Sequence, residues 1–182
     1  MHGNDLLIGQ DVCLTVLTKD ELPQMVEWQA DVEYLRMFTA TNVFPPTIED
    51  MEDWYKAQTA KNDRYIFAIR LQGNDQFIGI CMAKSVEFRS GDCKVSIRIG
   101  DPTMRGKGYG TDATRTLLKF IFLELGLHRV QLRVISYNTA AIRSYEKAGF
   151  QHEGKLRDAI RRDGRYYDLV QMGILRHEWE NS

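Results

Sequence analysis

A glycine-rich stretch that runs into a helical pattern is the part of this sequence best suited to bind a ligand. Glycine lets the backbone approach a ligand closely and adopt φ angles that other residues avoid. The start of a helix presents unpaired N–H groups and the positive end of the helix dipole, which favour phosphate. Two basic side chains add positive charge, so we predict a pyrophosphate site; the alternative is a loop–helix junction whose glycines serve packing. The stretch reads Arg105-Gly106-Lys107-Gly108-Tyr109-Gly110.

The spacing of these glycines excludes two other phosphate-binding motifs. A P-loop requires Gly-x-x-x-x-Gly-Lys followed by Ser or Thr, and the sequence contains no such string. The dinucleotide-binding fingerprint requires Gly-x-Gly-x-x-Gly, whereas residues 106–110 read Gly-x-Gly-x-Gly and follow a meander of predicted strands. The stretch therefore belongs to neither of these nucleotide-binding classes.

A second segment, further along the chain, places a tyrosine on the apolar face of a short predicted helix. Asn138 has a side chain suited to cap this helix, and Ala141, Ile142, Tyr145 and Ala148 recur at helical spacing. A tyrosine hydroxyl can donate a proton during catalysis. A core tyrosine that needs only a hydrogen-bond partner gives the same pattern, so the residues alone leave both roles open.

The remaining pattern predicts one mixed α/β domain over residues 1–182, with a single sheet and helices on both faces. Capping-box spacing at Thr18 predicts a helix through about Ala30, and Thr47 can cap another. The glycine stretch leads into a helix that ends near Gly126. Alternation and turn signals predict strands at 11–17, 65–71, 77–83, 94–99 and about 130–134, and a final hairpin around Arg162-Asp163-Gly164.

Two motifs in these segments resemble the signatures of a known family. Arg105-x-x-Gly108-x-Gly110 matches the Arg/Gln-x-x-Gly-x-Gly/Ala motif of the GNAT (N-acetyltransferase) superfamily, and residues 138–150 look like its second signature. The sequence is similar to the branch that includes ribosomal-protein N-terminal alanine and spermidine acetyltransferases. The resemblance implies an acetyl-CoA-dependent N-acetyltransferase whose central, mostly antiparallel seven-stranded sheet splays in the middle.

The resemblance also implies where acetyl-CoA binds. In similar enzymes the strand before the glycine loop parts from its neighbour and pairs with the pantetheine arm as an added strand would. The matching positions here are Ile97, Arg98 and Ile99. The family's pyrophosphate loop corresponds to Arg105–Thr111, with main-chain donors at Gly106, Gly108 and Gly110 and with Lys107, Tyr109 and Thr111 between and after them. An asparagine such as Asn138 contacts the pantetheine or positions a water.

Tyr145 occupies the place of the family's general acid, which gives a proton to the departing CoA thiolate. Because the thiolate is a good leaving group, such an acid contributes a modest factor to the rate. The implied reaction is a direct attack of a primary amine on the thioester, without an acyl-enzyme. Cys81 and Cys93 argue only weakly for a covalent intermediate, since the sequence assigns no His/Asp partner to either.

The general base is the point where the sequence departs from the family. Relatives often carry a glutamate on the strand before the loop, but residues 93–96 read Cys-Lys-Val-Ser. A carboxylate from elsewhere or an ordered water would have to serve; the candidates are Glu27, Glu33, Asp168 and Glu153. The resemblance further implies that the N-terminal helical region forms one wall of the acceptor pocket, although most of its aromatic residues also fit an ordinary core; they are Met25, Trp28, Tyr34, Met37, Phe38, Phe44, Trp54 and Tyr55.

Composition limits the partners and the compartment. A net charge of −1 with dispersed basic residues argues against a nucleic-acid binder, and no apolar run is long enough for a membrane helix. Residues 1–5 carry no basic region leading into an apolar stretch, so we expect no signal peptide. Three cysteines without ligand spacing indicate buried thiols in a reducing cytoplasm, and the four histidines give no metal-site pattern, so we expect no metal.

Two alternatives to an acetyl-CoA enzyme stay open from the sequence. A catalytically silent module of the same fold would bind CoA or an amine as a sensor, and the missing glutamate favours it. An acyltransferase for longer donors such as succinyl-CoA would need extra cationic or roomy features.

The acceptor is a small-molecule or peptide amine, with an acidic pocket expected for a polyamine. Related proteins are often homodimers, and the C-terminal hairpin could pair across subunits.

Overall fold

A computed structural model describes residues 6–181. Met1–Asp5, on which the expectation of no signal peptide rests, lie outside the described residues, as does His2. Within the described chain, seven strands form one sheet in the order β1-β2-β3-β4-β5-β7-β6. All neighbours are antiparallel except β4 and β5, which are parallel. The strands are Val12–Val16 (β1), Arg64–Leu71 (β2), Phe77–Glu87 (β3), Asp92–Ile99 (β4), Arg129–Ile135 (β5), Gln151–Arg162 (β6) and Arg165–Leu175 (β7).

Helices cover both faces of this sheet, as the element order predicts. Short 3-10 turns at Lys19–Glu21 and Pro102–Met104 precede two of the segments, and a π-helical turn at Phe120–Glu124 continues α4. The helices are Leu22–Gln29 (α1), Val32–Arg36 (α2), Ile48–Thr59 (α3), Tyr109–Lys119 (α4), Thr139–Lys147 (α5) and Arg176–Glu180 (α6).

The sequence predicted the strands and the longer helices but missed the two five-residue helices, α2 and α6. The final hairpin turns at Asp163 and Gly164, which both have positive φ (50° and 76°), as a type I′ turn requires. The first helix does not run unbroken from Thr18, because its first turn is 3-10. Helix α2 was not predicted: five residues are too few for a periodic pattern, and it depends on the Asp31 carboxylate, which accepts the N–H groups of Glu33 and Tyr34.

The two faces of the sheet have separate cores. Helices α4 and α5 pack on one face, where Val95, Ile97 and Ile99 of β4 join them. Helices α1 and α3 pack on the other face through a smaller cluster that includes Met25, Met51 and Ile80. Since successive side chains of a strand point to opposite faces, Lys94, Ser96 and Arg98 lie on the α1 face.

The parallel strands β4 and β5 part midway, which confirms the predicted splay. Asp92, Cys93 and Lys94 pair with Arg129, Val130 and Gln131, and the pairing ends there. Strand β4 nevertheless continues to Ile99 and β5 to Ile135. Their second halves therefore enclose a wedge-shaped gap in which backbone polar groups lack a strand partner.

The start of α4 is held in place by one carboxylate. Asp112 accepts the backbone N–H groups of Gln10, Asp11 and Val12 at 2.8–3.0 Å. It also lies in the first turn of the helix, where a negative charge is stabilised by the helix dipole. Asp112 thus joins the segment before β1 to the end of α4 that carries the glycine loop.

We expect Asp112→Ala to lower the free energy of unfolding by about 2 kcal/mol, because three N–H groups lose a charged acceptor. Urea denaturation measures this change. Asp53→Ala is the matched control, since the exposed Asp53 pairs only with Lys56 of its own helix, and we expect it to cost less than about 0.5 kcal/mol. Equal losses in the two variants would contradict the anchoring role of Asp112.

Candidate active site

The gap between β4 and β5 opens into a cavity of about 330 Å³. Its walls come from four parts of the chain that are distant in sequence. Strands β4 and β5 supply residues from Lys94 to Arg98 and from Gln131 to Ile135, α5 supplies Tyr145, and the segment after α2 supplies Phe38. The splay therefore brings Ile97, Arg98, Asn138 and Tyr145, all singled out from the sequence, to one cavity.

Two of the three loop glycines are required by backbone conformation. Gly106 and Gly108 have φ values of 75° and 94°, and an added Cβ would meet no atom within 4 Å at either position. Glycine is therefore needed at these two positions for the positive φ, and not because a side chain would collide with neighbouring atoms. Gly110 differs, because it lies in the first turn of α4 without a positive φ, and its Cβ would make ordinary contacts at 3.7 Å with Ile99 and Ser144.

The donors that the loop offers to a phosphate are main-chain N–H groups. The amides of Thr111 and Asp112 already donate to the carbonyl of Gly108 at 3.0 and 3.1 Å. An α-helix has no internal acceptor for the amides of its first turn, so those of Tyr109 and Gly110 point outward. The Thr111 hydroxyl is bonded to that of Ser144 at 2.8 Å, which joins α4 to α5.

Arg105 does not extend its guanidinium from the loop. Its Nε and Nη2 donate to the carbonyls of Ile99 and Gly100 at 3.2 and 2.6 Å, and the group stacks on the ring of Tyr34 at 4.1 Å. The side chain therefore fixes the end of β4 against the loop. Lys107, by contrast, is exposed beside the loop.

Tyr145 combines the two roles that the sequence left open. Its ring packs in the core against Phe150 at 5.7 Å, while the side chain also lines the cavity. Burial raises the pKa of the Tyr145 hydroxyl to about 12, against a smaller lowering effect of a hydrogen bond from the backbone of Ile97 and of the nearby Arg98. At neutral pH the hydroxyl is protonated, so it is suited to donate a proton and not to accept one.

Asn138 is the cap that the sequence predicts, and it also holds the segment after α2. Its Oδ1 accepts the backbone N–H of Ala141 at 3.1 Å, and its Nδ2 donates to the carbonyl of Met37 at 2.9 Å. The neighbouring Tyr137 donates its hydroxyl to the carbonyl of Arg36 at 2.5 Å. The turn before α5 thus positions the segment that carries Phe38 over the cavity.

None of the four candidate carboxylate bases lines the cavity. Glu153 pairs with Arg129 at 2.6 Å, and this contact lowers the pKa of the Glu153 carboxyl. Asp168 pairs with Lys155 at 2.7 Å, which likewise lowers the pKa of Asp168. Glu33 pairs with Arg36. The missing glutamate on β4 is not replaced by a carboxylate at the cavity wall.

Cations replace acids on the α1 side of the cavity. Lys84, Lys94, Arg98 and Arg133 line it, and no Asp or Glu among residues 6–181 does. Burial, followed by the charges of Arg98 and other cations, lowers the pKa of Lys84. Sequence reasoning treated Arg98 as a backbone position and missed the other three. The alternation of β4 could have revealed one of these three, because Lys94 shares with Arg98 the strand face opposite Val95 and Ile97.

The expected aromatic wall is only partly at the cavity. Met37 and Phe38 line it, and the ring of Tyr34 lies 4.9 Å from that of Phe38. The other members are core residues of the α1 face, apart from Phe44, whose side chain is 82% exposed. Among residues 6–181, no cluster of His, Cys, Asp and Glu is arranged to hold a metal ion, and no helix has the length and apolar character to cross a membrane.

The comparison with known proteins decides the family. The sequence profile of the acetyltransferase (GNAT) domain matches residues 11–151. The chain belongs to this family. It is 29% identical over 172 residues to the uncharacterized prophage-derived N-acetyltransferase YokL of Bacillus subtilis, a match that covers 94% of each chain. It is 27% identical over 135 residues to a spermidine N(1)-acetyltransferase of Vibrio cholerae, covering 74% of this chain and 77% of that one.

Solved structures agree with the observed architecture. A crystal structure of the Vibrio cholerae spermidine N-acetyltransferase, in complex with CoA and spermine, superimposes with a TM-score of 0.84 over 94% of this chain and 99% of that one, at 23% identity. The mixed α/β fold predicted from the sequence is confirmed. As a GNAT acetyltransferase, the protein is an acetyl-CoA-dependent N-acetyltransferase, and the comparisons give no support to a catalytically silent sensor.

Burial disfavours cysteine chemistry at the site, and neither Cys81 nor Cys93 lines the cavity. Cys81 and Cys93 are buried, and burial raises the pKa of each thiol, that of Cys93 to about 12. We expect a thiol reagent such as Ellman's to modify neither in the native protein, because the thiolate is the reactive form. All thiols should react after unfolding. Cys13→Ser is the control that removes the half-buried third thiol. Rapid native-state modification of Cys81 or Cys93 with loss of activity would contradict direct transfer.

Proposed function

We propose that the protein transfers the acetyl group of acetyl-CoA directly to a primary amine in the gap between β4 and β5, with Tyr145 as the general acid. The observation that carries this proposal is the place of the Tyr145 hydroxyl. It lies beside the backbone of Ile97, where β4 has left β5, and burial keeps it protonated.

The pantetheine arm would pair with the exposed edge of β4 at Ile97–Ile99. Backbone groups without a partner are costly when buried, and an extended ligand satisfies them as another strand does. The pyrophosphate would rest on the outward amides of Tyr109 and Gly110 and on the loop at Gly106 and Gly108. Arg105 serves this site by holding the loop to the end of β4.

The reaction needs no covalent intermediate on the protein. Acetyl-CoA binds first, and the nitrogen lone pair of the amine attacks the thioester carbon to form a tetrahedral intermediate. The C–S bond then breaks, the sulfur leaves with its electron pair, and Tyr145 gives it a proton. The nitrogen of the new amide loses its extra proton to water, and the Tyr145 phenolate regains a proton from water, which restores the hydroxyl. The buried thiols of Cys81 and Cys93 take no part.

The cations at the cavity favour a neutral amine without a carboxylate base. A primary amine has a pKa of about 10, so most of it is protonated at neutral pH. Nearby like charges disfavour the ammonium form and lower this pKa. A glutamate base would take the proton from the ammonium group. Arg98, Lys84 and Lys94 also favour the neutral amine that reacts, because their charges disfavour the ammonium form.

The acceptor is a small-molecule or peptide amine, and the cavity disfavours a polyamine. One relative is named a spermidine N(1)-acetyltransferase, and another carries the name "Putative ribosomal N-acetyltransferase YdaF". A polyamine carries several positive charges and needs acidic partners. The cavity wall presents four cations and no acid among the described residues. Charge alone therefore favours a different acceptor from that of the spermidine enzymes.

Compartment and assembly are proposals with narrower support. We place the protein in the cytoplasm because its cysteines are free thiols, as a reducing compartment keeps them. We take a homodimer through the outer edge of β6 as the assembly, since this strand is exposed over most of its length and unpaired strand edges associate. Nucleic acid and metal have no part in the proposed reaction.

We expect Tyr145→Phe to lower kcat roughly ten-fold, because the ring still packs while the proton donor is lost. Release of CoA thiol from acetyl-CoA, followed across a panel of peptides, amino sugars, amino acids and spermidine, measures this. Tyr166→Phe is the matched control, since its side chain is exposed and away from the cavity.

An unchanged kcat in Tyr145→Phe would remove the acid role and leave the transfer itself in place. Saturable acetyl-CoA binding with no turnover of any amine would contradict the proposed function as a whole.

A further inference from the structure

Arg98 presents a guanidinium to the cavity without an acidic partner. Its plane stacks on the ring of Phe38 at 4.0 Å, and its buried Nε has no hydrogen-bond partner among the described residues. The nearby titratable groups that act on its charge are the hydroxyls of Tyr34 and Tyr145, and burial lowers the pKa of Arg98. A half-buried cation without a partner at its buried Nε is costly, and a bound anion would offset that cost.

Three further cations face the same space. Lys84 and Lys94 lie opposite each other on β3 and β4, and Arg133 of β5 also lines the cavity, with its Nε donating to Gln171 Oε1 at 3.0 Å. Gln171 in turn donates to Gln131 at 3.0 Å. Like charges that converge on one cavity repel each other, so the arrangement is stabilised by a bound anion.

The phosphates of acetyl-CoA do not account for these charges. The phosphate-binding loop lies at the N-terminus of α4, on the face of the sheet that α4 and α5 cover. Arg98 points to the opposite face, toward α1 and the segment after α2, as its contact with Phe38 shows. The cationic wall therefore borders the side from which the amine must approach the thioester.

We propose that the acceptor carries an anionic group, a carboxylate or a phosphate, in addition to its amine, and that Arg98 binds this group. The inference rests on the proposed function, because it assigns the substrate class of the same site. A guanidinium can donate two parallel hydrogen bonds to either anion, and the stacked ring of Phe38 fixes its plane. Lys84, Lys94 and Arg133 add long-range attraction.

The distance along the strand limits the size of this acceptor. Arg98 directly follows Ile97, whose backbone bonds the Tyr145 hydroxyl at the reacting end of the cavity. The amine and the anion of the acceptor are then separated by no more than the length of one side chain. Compact molecules such as amino acids and aminoalkyl phosphates have this spacing.

Matched pairs of amines test the inference on the full-length protein with acetyl-CoA. Each pair removes the anion: an amino acid against its amide, and phosphoethanolamine against ethanolamine, with spermidine as a cationic reference. Because loss of the anion also lowers the pKa of the amine, each rate is expressed per concentration of neutral amine. We expect the anionic member to have a kcat/KM roughly ten- to hundred-fold higher, as expected for a charge-assisted contact. Arg98→Met should remove this preference mainly through a higher KM.

Variants separate binding of the anion from folding. Arg98→Lys keeps the charge without the planar fork, so we expect an intermediate preference. Arg89→Met is the matched control, since this exposed arginine is not part of the cavity, and its preference should equal that of the wild type. Acetyl-CoA affinity, measured for each variant, reports whether the fold is intact. If Arg98→Met does not fold, the matched pairs with the wild type and Arg98→Lys still decide.

Three results would overturn the inference, and they differ in whether the proposed function is also overturned. Turnover without preference for the anionic members would remove the anion site and leave the proposed function. Acetyl-CoA binding without turnover of any amine would remove both. A preference for succinyl-CoA over acetyl-CoA that Arg98→Met abolishes would assign the anion to the acyl donor and not to the acceptor.

Discussion

The early end of pairing between two parallel strands is the constraint on which the site depends. Strands β4 and β5 pair only at Asp92–Lys94 and Arg129–Gln131, so the rest of each strand presents backbone polar groups to a gap. Such groups must be satisfied by a ligand or by water. Because α4 begins just after β4 and α5 just after β5, the same separation brings a helix N-terminus and the Tyr145 hydroxyl to that gap. One departure from regular sheet pairing thus positions the strand edge, the helix start and the hydroxyl to which we assign pantetheine binding, phosphate binding and the acid role.

The two faces of the sheet divide the reaction between them. On the α4 face, apolar residues such as Val95 and Ile97 form the core that fixes the helix carrying the phosphate loop. On the α1 face, the intervening residues Lys94 and Arg98 form a cationic wall. The alternation of a single strand therefore separates the cofactor side from the acceptor side. Our proposal assigns the cationic side to the acceptor, whose charge would then be opposite in sign to that of a polyamine.

Most of the fold follows from local patterns in the sequence, because its elements are long or are ended by specific turn residues. The loop at Gly106–Gly108 and the turn at Asp163-Gly164 require φ values that glycine and aspartate tolerate, so their sequences are informative. Helix α2 could not be predicted in this way, because its five residues are too few to show a periodic pattern and a single capping residue marks its start.

The site was less predictable, because its electrostatics depend on residues far apart in sequence. The contact of Arg98 with Phe38 and the pairing of Glu153 with Arg129 join residues that no motif relates. Sequence reasoning could name the four carboxylates but not find that none lines the cavity and that Glu33, Glu153 and Asp168 are held in ion pairs. The sequence places Arg105 in the loop, but only the structure shows that its guanidinium donates hydrogen bonds to the carbonyls at the end of β4.

The most direct test of the central claim is a crystal structure of the protein with bound CoA. The account predicts that the pantetheine arm pairs with β4 at Ile97–Ile99, that the pyrophosphate contacts the amides at the start of α4, and that the sulfur lies within hydrogen-bonding reach of the Tyr145 hydroxyl. CoA bound outside the gap, or with its sulfur turned away from Tyr145, would contradict it.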